Sequence, residues 1–295
     1  EILGESFVIK KLTIIGVGLI GGSLARSLRN SIKDIEIVGC GRSEDNLKKA
    51  VELNVIDRYS DNIKTSIKDA DIIFISTPIG AMREIFKEMN GSISASSVIT
   101  DAGSTKSSII EEFKEECPKN INQFVPGHPI AGTEYNGVVA SVDDLFEEAR
   151  VIITPIDETS KRAIERIEEM WHMCGANVIH MSPTHHDEVL AATSHLPHLL
   201  AFSLVDTLAK KAEHKEIFQY AAGGFKDFSR IASSNPEMWR DICGSNRESL
   251  IGLLEEFSEK IDKVSNFVKN DDLENLYKIF SEAKAARDKF INKSE

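Results

Sequence analysis

The stretch Leu12-Thr13-Ile14-Ile15-Gly16-Val17-Gly18-Leu19-Ile20-Gly21-Gly22 decides the fold of this chain. Strand-forming residues run straight into glycines spaced G-x-G-x-x-G, and a helical apolar pattern follows over 20–28. In such a turn Gly16 permits the tight bend, Gly18 lets backbone approach a pyrophosphate, and Gly21 lets helix and strand pack closely. The helix N-terminus then offers free N–H groups and a positive dipole end to phosphates. The spacing predicts a dinucleotide site in which Gly16, Gly18, Leu19, Ile20 and Gly21 meet the cofactor. Lys10 and Lys11 before an apolar run superficially copy a signal peptide, but the glycine spacing and the strands that follow at βαβ intervals argue against one.

Outward from this turn, short apolar runs alternate with amphipathic helices. Strands are predicted at 12–15, 35–38, 71–76, 97–100, 124–125, 151–154 and 177–180, with helices over 20–28, 44–53 and 160–174. This is the pattern of an α/β Rossmann-type doubly wound sheet, followed by an all-α helical domain. The strand pattern stops near Met181, and Pro183 suits the first position of a helix. The boundaries are therefore a dinucleotide-binding Rossmann domain over 9–181 and a helical substrate-binding and dimerisation domain over 182–295. Leu250, Leu254, Phe257, Ile261, Val264 and Val268 recur at steps of four and three, the seam of a helix packed along another helix. That seam is either an intrachain core or, in a helical domain of only about 110 residues, the interface of an expected homodimer.

The 295 residues are enough for two domains with real cores, and 41% hydrophobic with 28% charged residues exclude a disordered or fibrous chain. Lys and Arg number 35 against 47 Asp and Glu, a net charge of −12 that would repel a phosphate backbone, so nucleic acid is not an expected partner. Beyond the glycine turn, no apolar run is expected to approach the ~20 residues of a membrane span, and no membrane association is expected. Cys40, Cys117, Cys174 and Cys243 lie far apart without a C-x-x-C pair, which fits a reducing cytoplasm.

Where the second strand ends, an NAD site usually carries Asp or Glu for the ribose hydroxyls, whereas this chain reads Gly39-Cys40-Gly41-Arg42-Ser43. Arg42 and Ser43 could cradle a 2′-phosphate, with Glu44 and Asp45 the residues that could still serve NAD. NAD(P)+ is therefore expected, with a lean to NADP+ or dual use. Thr77-Pro78 and the loop Asp101-Ala102-Gly103-Ser104-Thr105-Lys106 follow strands at the carboxyl edge of the sheet and should border the cofactor. Ser104 is either a site hydroxyl or the cap of the next helix. Gly127-His128-Pro129 mounts a histidine on a loop after a strand, which suits proton transfer. His180, His185, His186, His195 and His198 crowd together further on. Of these, His195 and His198 flank Pro197 at a helical i, i+3 spacing, and without an H-E-x-x-H motif or a third fixed ligand no metal is expected and anion or carbonyl binding by that pair is favoured. Arg230, closing Gly223-Gly224-Phe225-Lys226-Asp227-Phe228-Ser229-Arg230, is a carboxylate clamp or a plain salt bridge.

In these motifs the chain resembles the prephenate dehydrogenase family, the prephenate and arogenate dehydrogenases of tyrosine biosynthesis. The likeness spans nearly the whole length: GVGLIGGS at 16–23, the 101–106 loop, GHPIAGTE at 127–134, SHLPH at 194–198, GGFKDFSRIA at 223–232 and PEMWRDI at 236–242. It implies oxidative decarboxylation of prephenate to 4-hydroxyphenylpyruvate, or of arogenate to tyrosine, with hydride passing to NAD(P)+. It also implies that His128 accepts the ring hydroxyl proton, that Ser104 orients His128 and the hydroxyl, and that Arg230 and His198 hold substrate oxygens. Thr133, Ser194 and Gly223 are further substrate-binding candidates. Gly41 departs from the family's common NAD pattern, and no appended regulatory or mutase domain is expected. The alternatives are another NAD(P)-dependent hydroxy-acid dehydrogenase of Rossmann-plus-helical type, and a noncatalytic dinucleotide sensor that would tolerate loss of His128.

Overall fold

The computed structural model describes residues 8–133, 135–211 and 218–291, so Glu134 of the GHPIAGTE motif lies outside the described residues. At its centre β1 (Lys11–Ile15) pairs in parallel with β2 (Glu36–Cys40) on one side and β4 (Ile72–Ile75) on the other. With β3 (Arg58–Ser60), β5 (Val98–Asp101) and β6 (Phe124–Val125) the sheet runs in the order β3-β2-β1-β4-β5-β6, the order of a doubly wound dinucleotide-binding sheet. Helices α1 (Leu19–Ser31), α2 (Glu44–Glu52), α3 (Ile63–Ile67), α4 (Met82–Met89) and α5 (Ser107–Glu116) make the crossovers. Strand β3 was not among those predicted, because Arg-Tyr-Ser carries no apolar period. Its parallel pairing with Val38 to Cys40 makes it a strand.

The inner strands are buried on both faces, which is why they read as apolar runs, whereas edge strand β3 is exposed to half-buried. Leu12, Ile14, Ile72 and Phe74 pack on one face with Leu24, Leu28 and Trp171, the last edge-on to Phe74 at 5.8 Å. Ile15, Ile73 and Ile75 pack on the other with Phe86, Phe113 and Phe124.

The later strands form a second sheet. β7 (Gly127–Ile130) is antiparallel to β8 (Arg150–Ile153), β8 is parallel to β9 (Asn177–His180), and α6 (Lys161–Met173) connects β8 to β9. His128 is therefore not on a loop, as its glycine and proline neighbours suggested, but within β7 opposite Ile152. β7 is an edge of this three-stranded sheet, where a proline such as Pro129 is tolerated for want of an N–H.

Helix replaces strand after His180. α7 (Pro183–Leu190), a π-helical turn (Ala191–His195), α8 (Leu196–Ala209), α9 (Gly223–Ser229), a 3₁₀ turn (Arg230–Ser233) and α10 (Pro236–Ser245) follow in turn. These helices belong to one compact unit with the sheets, and the compact units divide between Arg247 and Glu248. The second unit holds α11 (Arg247–Lys269) from its second residue onward and α12 (Leu273–Ile291). One expectation is overturned: Pro183–Ala209 is long and apolar enough by length and composition to cross a membrane, with a mean hydropathy of 1.2 over 18 residues. The polar start Thr184 to Glu188 and the scattered histidines hide the run from inspection. Its His186, Asp187 and His195 are buried and hydrogen-bonded within the first unit.

The glycine turn divides into structural and open positions. Gly16 has φ +95°, and a Cβ there would stand 2.6 Å from the Ser76 carbonyl oxygen. At Gly21 a Cβ would stand 2.5 Å from both the Gly16 carbonyl oxygen and Ser76 Oγ, while at Gly18 it would meet nothing within 4 Å. Gly21→Ala should therefore lose about 1–3 kcal/mol of unfolding free energy, overpacking against fixed backbone outweighing the helix propensity gained. Gly18→Ala should stay within about 0.5 kcal/mol of wild type. Urea denaturation of both variants checks the pair, and equal losses would refute the division.

Candidate active site

The cofactor end is built from the carboxyl edges of β1, β2 and β4. Gly18 caps α1 without a side chain, no acid stands in the first helical turn, and the N–H groups of Leu19, Ile20 and Gly21 have no intrahelical acceptor. Beside them the Thr77 hydroxyl is buried without a partner, and the Thr77 methyl crowds Gly16. Open space at Gly18, unpaired N–H groups and an orphaned hydroxyl together fit a dinucleotide diphosphate. Asn46 of α2 braces the turn: its Nδ2 donates to the Val17 carbonyl at 2.7 Å and its Oδ1 accepts from the Val138 N–H at 3.3 Å. At the end of β2, Arg42 is exposed and Ser43 caps α2, its Oγ accepting the Asn46 N–H at 3.3 Å. Glu44 is held by Lys48 at 3.0 Å, and that ion pair keeps its carboxyl below the usual range. Pro78 is exposed at the end of the β4 segment.

The proton-transfer end is a relay. His128 is only 9% exposed, its Nδ1 lies 2.9 Å from His186 Nε2, and His186 Nδ1 lies 2.9 Å from Asp187 Oδ1. An ionised Asp187 only accepts, so His186 carries its proton on Nδ1 and presents a lone pair at Nε2. His128 must then donate from Nδ1, and its own Nε2 is left as a base. Burial, followed by the charges of His186, Lys106 and His195, pushes His128 well below the ordinary imidazole range and keeps it neutral. Burial disfavours the Asp187 carboxylate, yet hydrogen bonds from His186, Ser107 and Lys106 outweigh it and hold the group below its usual range.

Asp187 also accepts the main-chain N–H groups of Lys106 at 2.8 Å and Ser107 at 2.9 Å. The start of α5 is thus capped from a distant segment rather than by Ser104. Asn246 donates to the Asp187 carbonyl at 2.7 Å and lies 3.2 Å from His195 Nδ1. His195, projecting from the π-helical turn, is 1% exposed, and burial lowers its pKa to about 4. The Ser104 main chain lies beside that ring. His198 donates from Nδ1 to the Ser194 carbonyl at 2.8 Å and stacks on Trp239 with ring centroids 3.7 Å apart. Burial lowers His198, and the nearby Arg230 guanidinium adds to the effect.

Of the residues singled out from sequence, His128, Ser104, His198, Ser194 and Arg230 share one neighbourhood, joined through His186, His195 and Trp239. Thr133 lies in an exposed turn where its hydroxyl accepts the Tyr135 N–H at 3.2 Å, and Gly223 is exposed at the start of α9. Sequence reasoning assigned no role to His186, Asp187, Asn246 or Trp239. The adjacent pair His186-Asp187 was the available signal, but adjacency says nothing about which ring nitrogen meets which carboxylate.

A family model described as prephenate dehydrogenase, nucleotide-binding domain, matches residues 24–180, and one described as prephenate dehydrogenase, dimerization domain, matches residues 182–282. The prephenate dehydrogenase of Bacillus subtilis is 36% identical over 283 residues, which cover 94% of this chain and 75% of that protein. The cyclohexadienyl dehydrogenase of Zymomonas mobilis is 36% identical over 282 residues, 95% of this chain and 96% of that protein. Among solved structures, the prephenate dehydrogenase from A. aeolicus in complex with hydroxyphenyl propionate and NAD+ aligns with a TM-score of 0.87 and 37% identity, covering 96% of this chain and 99% of that one. The Synechocystis arogenate dehydrogenase aligns with a TM-score of 0.78 and 27% identity, covering 95% and 99%. Sheet order, the buried histidine relay and two family models that run from residue 24 to residue 282 agree, and the chain belongs to the prephenate dehydrogenase family.

Proposed function

We propose that this chain oxidatively decarboxylates prephenate or arogenate, giving 4-hydroxyphenylpyruvate or tyrosine, as a step of tyrosine biosynthesis. The observation that carries the reading is the neutral, buried His128, its Nε2 left as a base by the His186–Asp187 relay. Gly16, Gly18, Leu19, Ile20, Gly21, Thr77 and Pro78 would hold NAD(P)+, with Arg42 and Ser43 towards its adenosine ribose, and the bound cofactor would supply the hydride acceptor. The A. aeolicus relative, in complex with NAD+ and hydroxyphenyl propionate, supports this reading.

His128 Nε2 takes the proton of the ring hydroxyl while hydride leaves the same carbon, so the developing positive character is offset as it forms. The ring carboxylate then leaves as carbon dioxide. Its bonding electron pair completes the aromatic ring, and the oxygen recovers a proton from His128 to become the phenol. His186 and Asp187 keep the imidazole in its productive tautomer and stabilise the imidazolium between these steps. The Ser104 hydroxyl orients the substrate hydroxyl, and the Arg230 guanidinium and His198 hold substrate carboxylate and side-chain oxygens. Ser194 fixes the His198 ring through its carbonyl, and Thr133 and Gly223 line the approach.

The same proposal includes a homodimer. Ile261 and Val268 of the seam are 50% and 63% exposed, Tyr277 and Phe280 of α12 are 75% and 59% exposed, and the matched C-terminal family model is named for dimerization. It also includes the cytoplasm, in keeping with Cys40, Cys117, Cys174 and Cys243 as free thiols.

His128→Asn should lower kcat by ~10²–10⁴-fold while leaving cofactor affinity intact, as measured by turnover of prephenate and arogenate and by cofactor titration. Near-normal turnover would remove His128 from the chemistry. In the wild type, the acid limb of kcat/KM should lie below the ordinary imidazole value of 6.5, because protonating His128 in the free enzyme is disfavoured by burial.

For the cofactor, we propose use of NADP+ at least as good as NAD+. A Cβ at Gly41 would approach only Leu47 Cδ2, at 3.9 Å, so the backbone there leaves space for a side chain to start. Gly41→Asp should shift preference towards NAD+, and Arg42→Ala should weaken NADP+ by about 1.5–3 kcal/mol with NAD+ nearly untouched. Cofactor-resolved kcat/KM decides the matter. A wild type strongly selective for NAD+ and indifferent to Arg42→Ala would assign the ribose to Glu44 or Asp45.

A further inference from the structure

Asp101 and Lys106 form an ion pair whose side chains are both 0% exposed, and the chemistry above uses neither. Asp101 ends β5. Its Oδ1 accepts the Gly127 N–H at 3.0 Å, and its Oδ2 accepts the Gly103 N–H at 2.8 Å as well as Lys106 Nζ. Lys106 Nζ also donates to the Gly127 carbonyl at 2.6 Å. Both main-chain polar groups of Gly127 and the N–H of Gly103 thus close on one ion pair. The residues that follow these glycines are His128 and Ser104. Both glycines are tightly surrounded: a Cβ at Gly103 would stand 2.3 Å from Ile109 Cδ1 and 2.9 Å from Asp101 Oδ2, and one at Gly127 would stand 3.1 Å from the Asp101 carbonyl oxygen.

A second path reaches the same histidine. The main-chain N–H of Lys106 is bonded to Asp187, which orients His186, which holds His128 Nδ1. Lys106 therefore meets the His128 framework at two points, by its side chain through Gly127 and by its main-chain N–H, which any residue but proline would supply there, through Asp187 and His186. We infer that Lys106, with Asp101, is a positioning unit that fixes the His128 imidazole relative to Ser104 for proton transfer.

This inference rests on the reading of His128 as the base. Desolvating an ion pair is costly, and apolar side chains of similar volume commonly serve stability as well or better. Here the pair supplies what apolar residues lack, three directed bonds to main-chain groups beside two site residues. The charged and titratable groups around His128 are His186 from α7 with Asp187 behind it, His195 from the π-helical turn, Lys106 from the β5–α5 connection and Asp101 from the end of β5. The Lys106 cation repels a proton on His128, so its removal makes the imidazole easier to protonate.

The test compares full-length wild type with Lys106→Met. The expected result is a cooperative melt, cofactor affinity and KM within about threefold of wild type, and a kcat lower by about 10–100-fold, the scale of a catalytic group displaced by an ångström. The His128 imidazole, followed by ¹⁵N NMR where it is neutral, should lose its single tautomer, the Nδ1-protonated form giving way to a mixture. A merely structural lysine would lower stability and leave kcat and that tautomer as they were. Unchanged kcat together with an unchanged tautomer would overturn the inference. If Lys106→Met does not fold, the charge-free pair Lys106→Met with Asp101→Asn takes its place under the same two readings. The tautomer reading needs no turnover, so a wild type inactive on both substrates would refute the proposed function while the tautomer still decides the positioning role.

Discussion

The buried Asp187 carboxylate is the joint on which this structure depends. It belongs to α7, yet it accepts two main-chain N–H groups at the start of α5 and a third proton from the neighbouring His186 ring. An unpaired carboxylate in such a place would be costly. Here the positive end of α5 and three donors replace the lost water. One acceptor shared between two distant segments fixes the helical part of the site to the carboxyl edge of the sheet. It also leaves His186 a single tautomer, and through it His128.

A parallel sheet buried on both faces leaves little freedom elsewhere. Its inner strands are apolar over most of their length, so polar chemistry gathers at their carboxyl ends and in the connections that follow. There the chain uses glycine in two distinct ways. Gly16 and Gly21 let backbone and helix touch where a methyl group would not fit, whereas Gly18 opens a space for a ligand. The second, smaller sheet does different work. It holds His128 on an edge strand whose first residue is bonded across to β5, so this histidine is mounted on two sheets rather than on a loop.

The helical segment completes the site through an irregularity. Pro197 cannot donate a main-chain N–H, and the helix passes through the π-helical turn Ala191–His195 just before it. The turn sends the His195 ring into the interior towards Asn246, and His198 lies against the face of Trp239. The family models part at 180 and 182, where strand gives way to helix, while the compact units part at 247 and 248. The helices between these points pack with the sheet whose site they complete.

The sequence alone marked out the strands of the main sheet in all but one short case and the glycine turn, and it singled out His128 and His198. Each is written in local signals: an apolar run, a glycine spacing, a histidine beside a proline. The resemblance carried by those same motifs pointed to the family. Only the tertiary structure decided that β3 is a strand, that β7 to β9 leave the main sheet, that His128 sits within β7, and that Pro183–Ala209 is a long apolar helical path with buried polar residues. It alone brought Asp187 to the start of α5 and Lys106 to Gly127, contacts that span 81 and 21 residues. The physical reason is range. Periodicity and turn chemistry act over a few residues and are legible in order, whereas a buried polar group takes whichever partner packing brings to it, and no local pattern records that choice.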